Sequence, residues 1–303
     1  MSDALPHRLD EMPSMTLPEH LDELRRRLMW SIIAIVLGMV VSFFFYKELM
    51  VLLKAPFEQA VAATHAGKTR LQAIEPGEGF LQVLKVCFIS GLVVVSPVVL
   101  WQMWGFIAAG LYEQERRYVR IFFPVSLVLF ALGLVAAYLL LIPFGMRFLI
   151  GWNVALDLGT YFTLSSYLST CLTMLFGMGL LFQLPLVMLF LQAADIVQRA
   201  TFVKGWRWAV VVAFIVGMVL TDPSPVTQIV MAVPVVGLYF LGIWGGRFVG
   251  QDGEIWRWWK AWPVVVAVLA FVAMLVYRDA LNELAVRMFG TGGTPPADPL
   301  SPK

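Results

Sequence analysis

The chain contains few charged residues, and this scarcity excludes an ordinary soluble domain. Asp, Glu, Lys and Arg make up 14% of the 303 residues, and 60% are hydrophobic, whereas soluble domains carry about 25% charged residues. The formal net charge of +2 is too small to indicate a nucleic-acid partner. The composition therefore predicts an integral membrane protein.

Cysteine and histidine are also scarce. Cys87 and Cys171 each lie inside an apolar run, so we interpret them as small core residues without a disulfide framework. The three histidines, His7, His20 and His65, fall outside the apolar runs, and the chain has no H-E-x-x-H or G-x-S-x-G motif. We therefore expect no enzyme, no metal site and no cofactor, and His20 is interpreted as a helix-surface residue.

Charge-free apolar runs mark the membrane spans, since a bilayer core of about 30 Å needs about 20 helical residues. The fifth run covers only about 21 Å, which predicts either a thinned bilayer or an Arg207 side chain that reaches the surface. A seventh run has the minimum length for a span and favours an additional C-terminal hydrophobic helix over a surface or re-entrant segment. The six other runs, which predict an all-α fold of six transmembrane helices, lie at 28–46, 86–112, 121–146, within 158–194 from about 167, at 208–221 and at 226–246, and the seventh lies at 261–277.

These runs divide the chain into a polar N-terminal tail (1–14), a membrane core (15–250), an interfacial segment with the candidate seventh span (251–277), and a tail (278–303) that is disordered toward its Gly- and Pro-rich end. The N-terminal tail lacks the basic region of a signal peptide, so we expect the first helix to be retained. The first external loop, 47–82, is predicted to hold a short helix and a turn.

The distribution of basic residues favours a cytoplasmic N-terminus. With the N-terminus inside, thirteen of the 22 Lys and Arg residues fall in cytoplasmic segments and five fall in the opposite loops. Short cytoplasmic loops carry the excess of Lys and Arg. The side to which each helix end points follows from this orientation.

The stretch MTLPEHLDELRRRL at 15–28 introduces the first span and predicts an amphipathic helix on the membrane surface that then turns into the bilayer. Thr16 and Glu19 form a capping box at its start. Leucines at 17, 21, 24 and 28 recur at helical spacing and form one apolar stripe.

Charged pairs on this helix suggest a purpose beyond anchoring. Asp22 with Arg26, and Glu23 with Arg27, are spaced i, i+4 and are worth about 0.3–0.5 kcal/mol each when exposed. Taken alone, the segment is explained equally well as a basic anchor that holds the helix at the membrane surface and as part of a binding site. Glu115, at the end of the second span, places a second carboxylate on the same predicted surface, and two such carboxylates can bind guanidinium groups bidentately.

Four blocks together resemble the TatC family over about residues 15–250: HLDELRRRL (20–28), SPVVLWQMWGFIAAGLYEQERR (96–117), FGMGLLFQLP (176–185) and GMVLTDPSPVTQIVMAVP (217–234). The resemblance implies a concave six-helix bundle in the bacterial inner membrane, the receptor subunit of the twin-arginine translocase. It further implies binding of twin-arginine signal peptides of folded proteins, assembly with TatA and TatB, self-association, and use of the protonmotive force.

The resemblance also assigns roles residue by residue. Positions that match its signal-peptide surface are Glu23, Glu115, Arg25, Arg27, Leu28 and Phe106, with Arg116 and Arg117 beside them. Positions that match its partner-docking or intramembrane polar region are Gln183, Met218, Thr221 and Gln228. Positions that match structural sites in the first loop and second helix are Pro56, Phe80 and Pro97.

Two departures limit this transfer of roles. Where most family members have a glutamate in the fourth helix, this chain has Gln183, which hydrogen-bonds but does not titrate. We expect either a satisfied core glutamine or a group that holds a polar partner residue. In LTDPSPVTQ the acidic position is taken by Ser224, and Asp222 is either a shifted carboxylate or a turn residue.

A small-solute transporter or channel is the alternative class. Such proteins usually place ionisable residues and Gly or Pro breaks at paired positions of two halves. Here the intramembrane polar set is chiefly Gln102, Gln183 and Gln228, and no two halves match. The sequence therefore favours the translocase subunit.

Overall fold

Helices make up most of the protein. The computed structural model describes residues 17–64, 69–110, 116–156, 161–194, 196–221 and 225–247, and the predicted seventh span and both tails lie outside these ranges. Within them are eleven α-helices, one π-helical turn and two short strands. The predicted all-α architecture is confirmed for this part of the chain.

The first helix, α1 (Leu17–Phe44), is continuous over 28 residues. The sequence predicted a surface helix followed by a turn into the bilayer, and the structure instead joins the two parts without a break. Residues 19–37 contain neither Gly nor Pro, so nothing in the chain ends the helix at the surface. Leu21, Leu24 and Leu28 of the predicted stripe are 63%, 40% and 55% exposed on the outside of the helix.

The predicted second span consists of two helices, α3 (Glu78–Val94) and α4 (Ser96–Ala109), which are bent by 56°. The bend lies next to Pro97, one of the prolines at which the sequence favours a bent helix. Pro97 lies in the first turn of α4, where its missing N–H is tolerated, but it has no donor for the carbonyl of Val93. The second span therefore begins at Glu78 and breaks at Val95.

The third and fourth spans are long. Helix α5 (Arg116–Ala136) continues through the π-helical turn Ala137–Leu141 into α6 (Ile142–Ala155). Helices α7 (Leu164–Leu181) and α8 (Leu184–Ala193) follow one another with Gln183 between them.

The last described helices are α9 (Arg199–Lys204), α10 (Trp206–Leu220) and α11 (Pro225–Gly245). Helix α10 has 15 residues, or about 22 Å, so the predicted shortness of the fifth span is confirmed. Within the described ranges three helical stretches are long and apolar enough to cross a membrane, and the bent α3/α4 pair makes a fourth. With the shorter apolar helices Trp206–Leu220 and Met231–Gly245, six segments correspond to the six predicted spans.

The first loop forms a small layer at the end of α1. It contains α2 (Tyr46–Ala63) and β1 (Leu71–Gln72), and β1 pairs in parallel with β2 (Phe162–Thr163). Glu78 ties this layer together: its Oε2 accepts a hydrogen bond from the N–H of Ile74 at 2.7 Å, and its Oε1 accepts one from the N–H of Ser165 at 2.6 Å. The loop is therefore a folded element, which we call the α2 layer.

Pro56 lies buried inside α2. A proline in a helix leaves the carbonyl four residues earlier without its donor, and here that carbonyl belongs to Leu52. The hydroxyl of Tyr138 donates to the oxygen of Leu52 at 2.8 Å, and the hydroxyl of Tyr167 donates to the oxygen of Leu53 at 2.6 Å. Two tyrosines from the membrane helices thus supply donors around the proline.

Close helix packing depends on glycine. A Cβ on Gly91 of α3 would lie 2.5 Å from the backbone N of Met39 in α1, and one on Gly38 would lie 2.7 Å from the oxygen of Gly91. The backbones of α1 and α3 are therefore in direct contact, as membrane helices with small residues at their interface allow. This contact fixes α1 against α3 and, through the bend, beside α4.

Candidate functional site

Three side chains share the face of α1 that lies against the second half of α4. His20, Glu23 and Arg27 are spaced i, i+3 and i+7, which puts them on the same side of the helix. Arg27 contacts Gln102 and Gly105 of α4, His20 contacts Phe106 and Gly110 at its end, and Glu23 lies between them on α1. We call this cluster the α1–α4 site.

Glu23 is the buried acid of the α1–α4 site, with 9% of the residue exposed. Its Oε2 accepts a hydrogen bond from Nη2 of Arg26 at 2.5 Å, and its Oε1 accepts one from Nε of Arg27 at 2.6 Å. Nη2 of Arg27 also lies 2.5 Å from Oε1. Both carboxylate oxygens therefore bind guanidinium groups of the same helix.

Only one of the two predicted i, i+4 ion pairs forms. Glu23 pairs with Arg27 as expected, but in the described part of the chain the exposed Asp22 has no ion pair with Arg26. Arg26 turns to Glu23, three residues earlier, instead. Because a carboxylate that has lost most of its water depends on charged donors, Glu23 gains more from a second guanidinium than Asp22 does.

Arg27 is held by α4. Its side chain is 22% exposed, and its Nη1 lies 3.4 Å from Oε1 of Gln102. A Cβ added to Gly105 would collide with Nη1. The guanidinium thus occupies space that exists because residue 105 has no side chain.

His20 covers the other end of the site. Its ring stacks on that of Phe106, with centroids 4.4 Å apart and an interplanar angle of 21°. Its Cε1 would be 3.1 Å from a Cβ on Gly110. Its Nδ1 is buried and has no hydrogen-bond partner within the described residues. The sequence interpreted His20 as a helix-surface residue; the structure places it partly buried, with its ring against Phe106 and Gly110.

A second polar position lies deep between α5 and the α7/α8 junction. Gln183 is 7% exposed, and its Nε2 donates to the backbone oxygen of Ser126 at 3.0 Å. Its Oε1 is buried without a partner in the described ranges. The amide of Gln183 therefore uses its donor group, and its acceptor has no partner within the described residues.

The predicted docking positions near α10 and α11 differ in exposure. Met218 is 55% exposed, whereas Thr221 is buried and donates to the oxygen of Gly217 at 2.9 Å. Nε2 of Gln228 donates to the oxygen of Phe214 at 2.9 Å. Of these positions, Met218 presents its side chain outward, Thr221 bonds within the end of α10, and Gln228 joins α11 to α10. Asp222 and Ser224 lie outside the described residues.

Phe80 and Pro97 are both exposed, Phe80 at the start of the bent pair and Pro97 at its bend. Phe80 is 64% exposed in the first turn of α3, and Pro97 is exposed in the first turn of α4.

Among the described residues, no group of three or more His, Cys, Asp or Glu could hold a metal ion. The α1–α4 site offers ion pairing and aromatic stacking.

Comparison with known proteins identifies the family. The profile described as Sec-independent protein translocase protein (TatC) matches residues 19–234. The chain belongs to the TatC family. It is 34% identical over 235 residues to the TatC protein of Koribacter versatilis, covering 77% of this chain and 86% of that protein. It is 33% identical over 237 residues to that of Aquifex aeolicus, covering 77% and 95%.

A solved structure agrees with this assignment. The crystal structure of a twin-arginine translocase receptor TatC matches with a TM-score of 0.69 and 31% identity, and the match covers 76% of this chain and 99% of that one. The protein is thus a multi-pass membrane protein with the TatC fold and a component of the Sec-independent translocase. The comparison does not favour the alternative of a small-solute transporter or channel.

The structure brings together some of the TatC positions expected to bind signal peptides. Glu23, Arg27 and Phe106 lie in the α1–α4 site, whereas Arg25 is exposed and Leu28 is 55% exposed. Glu115 lies outside the described residues, as do the side chains of Arg116 and Arg117.

Sequence reasoning missed three members of the α1–α4 site: His20, Gln102 and Gly105. His20 is three residues before Glu23, so its helical spacing signals the shared face. Gln102 and Gly105 carry no such signal, because their role depends on which face of α4 meets α1.

Proposed function

We propose that this TatC protein is the receptor that binds twin-arginine signal peptides of folded proteins at the α1–α4 site. The observation that carries the proposal is the carboxylate of Glu23, 9% exposed and bonded through both oxygens to guanidinium groups. A site that already accommodates arginine side chains on a buried acid has the chemistry that an arginine pair requires. Glu115 supplies the second carboxylate in this proposal.

The proposal includes the setting of the receptor. The N-terminus is cytoplasmic, because the lysines and arginines then follow the positive-inside rule, and the membrane is the bacterial inner membrane. The partners are TatA and TatB, with self-association in the receptor complex and transport driven by the protonmotive force rather than by enzymatic catalysis. Met218, Gln228, Thr221 and Gln183 are the positions proposed to contact or support the partner helices.

Peptide binding tests the receptor function directly. The purified full-length protein in nanodiscs is titrated with a fluorescent signal peptide that carries Arg-Arg, and with the same peptide carrying Lys-Lys. We expect tighter binding of the Arg-Arg peptide, because lysine cannot reproduce the planar guanidinium fork. Glu23→Gln and Glu115→Gln should each weaken binding by about tenfold or more, the effect of one charge-assisted hydrogen bond.

Asp22→Asn is the matched control. It removes the same charge from the same helix turn, but Asp22 is exposed and points away from the α1–α4 site. Its binding curve should coincide with that of the unmodified protein. Equal binding of both peptides, or equal losses for Asp22→Asn and Glu23→Gln, would contradict recognition at Glu23.

A further inference from the structure

The helix that carries Glu23 also carries a pair of adjacent arginines, and both bind the carboxylate that the ligand needs. We propose that Arg26 and Arg27 form an internal arginine pair that occupies Glu23 in the unliganded receptor, and that an incoming guanidinium displaces Arg26 while Arg27 stays. This inference rests on the proposed receptor function, since it assigns Glu23 to the peptide. In this proposal Arg26 sets the affinity of the receptor by competing with the peptide for Glu23.

The two arginines are held unequally. Arg27 bonds Oε1 through Nε, lies beside Gln102, and fits over Gly105 with only 22% of its side chain exposed. The side chain of Arg26 is 69% exposed, and its bond to Oε2 is its contact with the acid. Exchange at Oε2 therefore costs one hydrogen bond from an otherwise solvated side chain, whereas exchange at Oε1 would displace the guanidinium that is packed between Glu23, Gln102 and Gly105.

Occupancy by Arg26 lowers the affinity of every ligand that uses Oε2. A ligand that binds only the free form has its apparent dissociation constant raised by the inverse of the fraction of free sites. An ion pair of a largely exposed arginine stabilises the occupied form by a factor of about two to five. An arginine of the ligand replaces the bond between Arg26 and Oε2 with an equivalent one. A lysine of the ligand forms a weaker bond and therefore competes less well with Arg26.

Removing Arg26 should therefore tighten binding. In nanodiscs, Arg26→Gln is expected to bind the Arg-Arg peptide about three to six times more tightly than the unmodified receptor, the inverse of the free fraction that an exposed ion pair leaves. Arg120→Gln, which removes an exposed charge from α5, is the matched control and should leave binding unchanged. Thermal unfolding of each variant verifies that it is folded.

A double-mutant cycle separates occupancy of Glu23 from simple charge repulsion. If Arg26 acts by occupying Glu23, Arg26→Gln has no effect on peptide binding in a Glu23→Gln background. If it acts only by repelling the peptide, the gain persists in that background, and the proposal is overturned. No gain from Arg26→Gln in the otherwise unmodified receptor also overturns it.

The two proposals fail differently. Loss of the Arg-Arg preference, or no effect of Glu23→Gln, removes the receptor proposal itself. A receptor that needs Glu23 but is indifferent to Arg26 keeps its proposed function and loses only the internal arginine pair.

Discussion

Replacing Tyr138 by phenylalanine tests why the buried Pro56 is tolerated in α2. The hydroxyl of Tyr138 lies 2.8 Å from the oxygen of Leu52, the carbonyl that Pro56 leaves without a helical donor. Tyr138→Phe removes that hydroxyl and leaves the carbonyl unpaired. The variant should therefore be less stable than the unmodified protein.

The size of the effect follows from burial. An unpaired buried acceptor costs about 1–3 kcal/mol, and the half-buried Tyr138 leaves water some access, so we expect about 1 kcal/mol. Tyr167 donates to the oxygen of Leu53 at 2.6 Å, a carbonyl that lies four residues before the N–H of Phe57, so Tyr167→Phe should cost about 1 kcal/mol, the net value of one hydrogen bond. For a protein of this size, 1 kcal/mol lowers the unfolding midpoint by about 2–4 °C.

The assay is thermal unfolding of the purified protein in detergent, followed by circular dichroism. The decisive comparison is Tyr138→Phe in a Pro56→Ala background, where the alanine N–H restores the helical donor to Leu52. The tyrosine substitution should then cost little. Tyr161→Phe is the control, because that side chain is 73% exposed. An unchanged cost of Tyr138→Phe in the Pro56→Ala background would refute the link between the tyrosine and the proline.

Two further predictions concern the α2 layer and the helix packing. Glu78→Gln should lower the unfolding midpoint, because the carboxylate accepts N–H groups of two segments, including that of Ser165, through two oxygens and an amide has only one. The control Glu75→Gln, at an exposed position, should leave the midpoint unchanged. Gly91→Ala should destabilise the protein by about 1–3 kcal/mol through overpacking against α1. The control Gly237→Ala, where a Cβ meets nothing within 4 Å, should not. Equal unfolding midpoints for the two variants would argue against the backbone contact between α1 and α3.

The spans could be predicted from the sequence because the membrane imposes a simple rule on long runs. Apolar length alone located all six segments, and the shortness of α10 was visible as 14 residues without charge. Pro97 favoured a bend in the second span, but the division of that span into two separate helices was hidden, because the apolar run continues across Val95 and Pro97 marks a helix start as well as a break. The continuity of α1 was missed because an amphipathic pattern indicates which face of a helix is apolar, and it does not indicate whether the helix axis bends.

The α1–α4 site was predicted in part for a related reason. Glu23 and Arg27 are four residues apart, so local helical geometry brings them together. The preference of Arg26 for Glu23 over Asp22 depends on burial against α4, which no local pattern contains. Sequence therefore identified the acid, but only the tertiary contact decides how its two oxygens are used.

The amide of Gln183, in place of a carboxylate, excludes one route by which proton movement could be coupled to transport. Where the family resemblance implies a glutamate, this chain has an amide whose Nε2 donates to the oxygen of Ser126 and whose Oε1 is buried without a partner in the described ranges. An amide does not titrate, so no proton can cycle through this side chain. Leaving a buried acceptor unpaired costs about 1–3 kcal/mol, and a donor on a partner helix would recover that cost. What the position retains is the capacity to accept a hydrogen bond, and any protonation step in this TatC protein has to use another group.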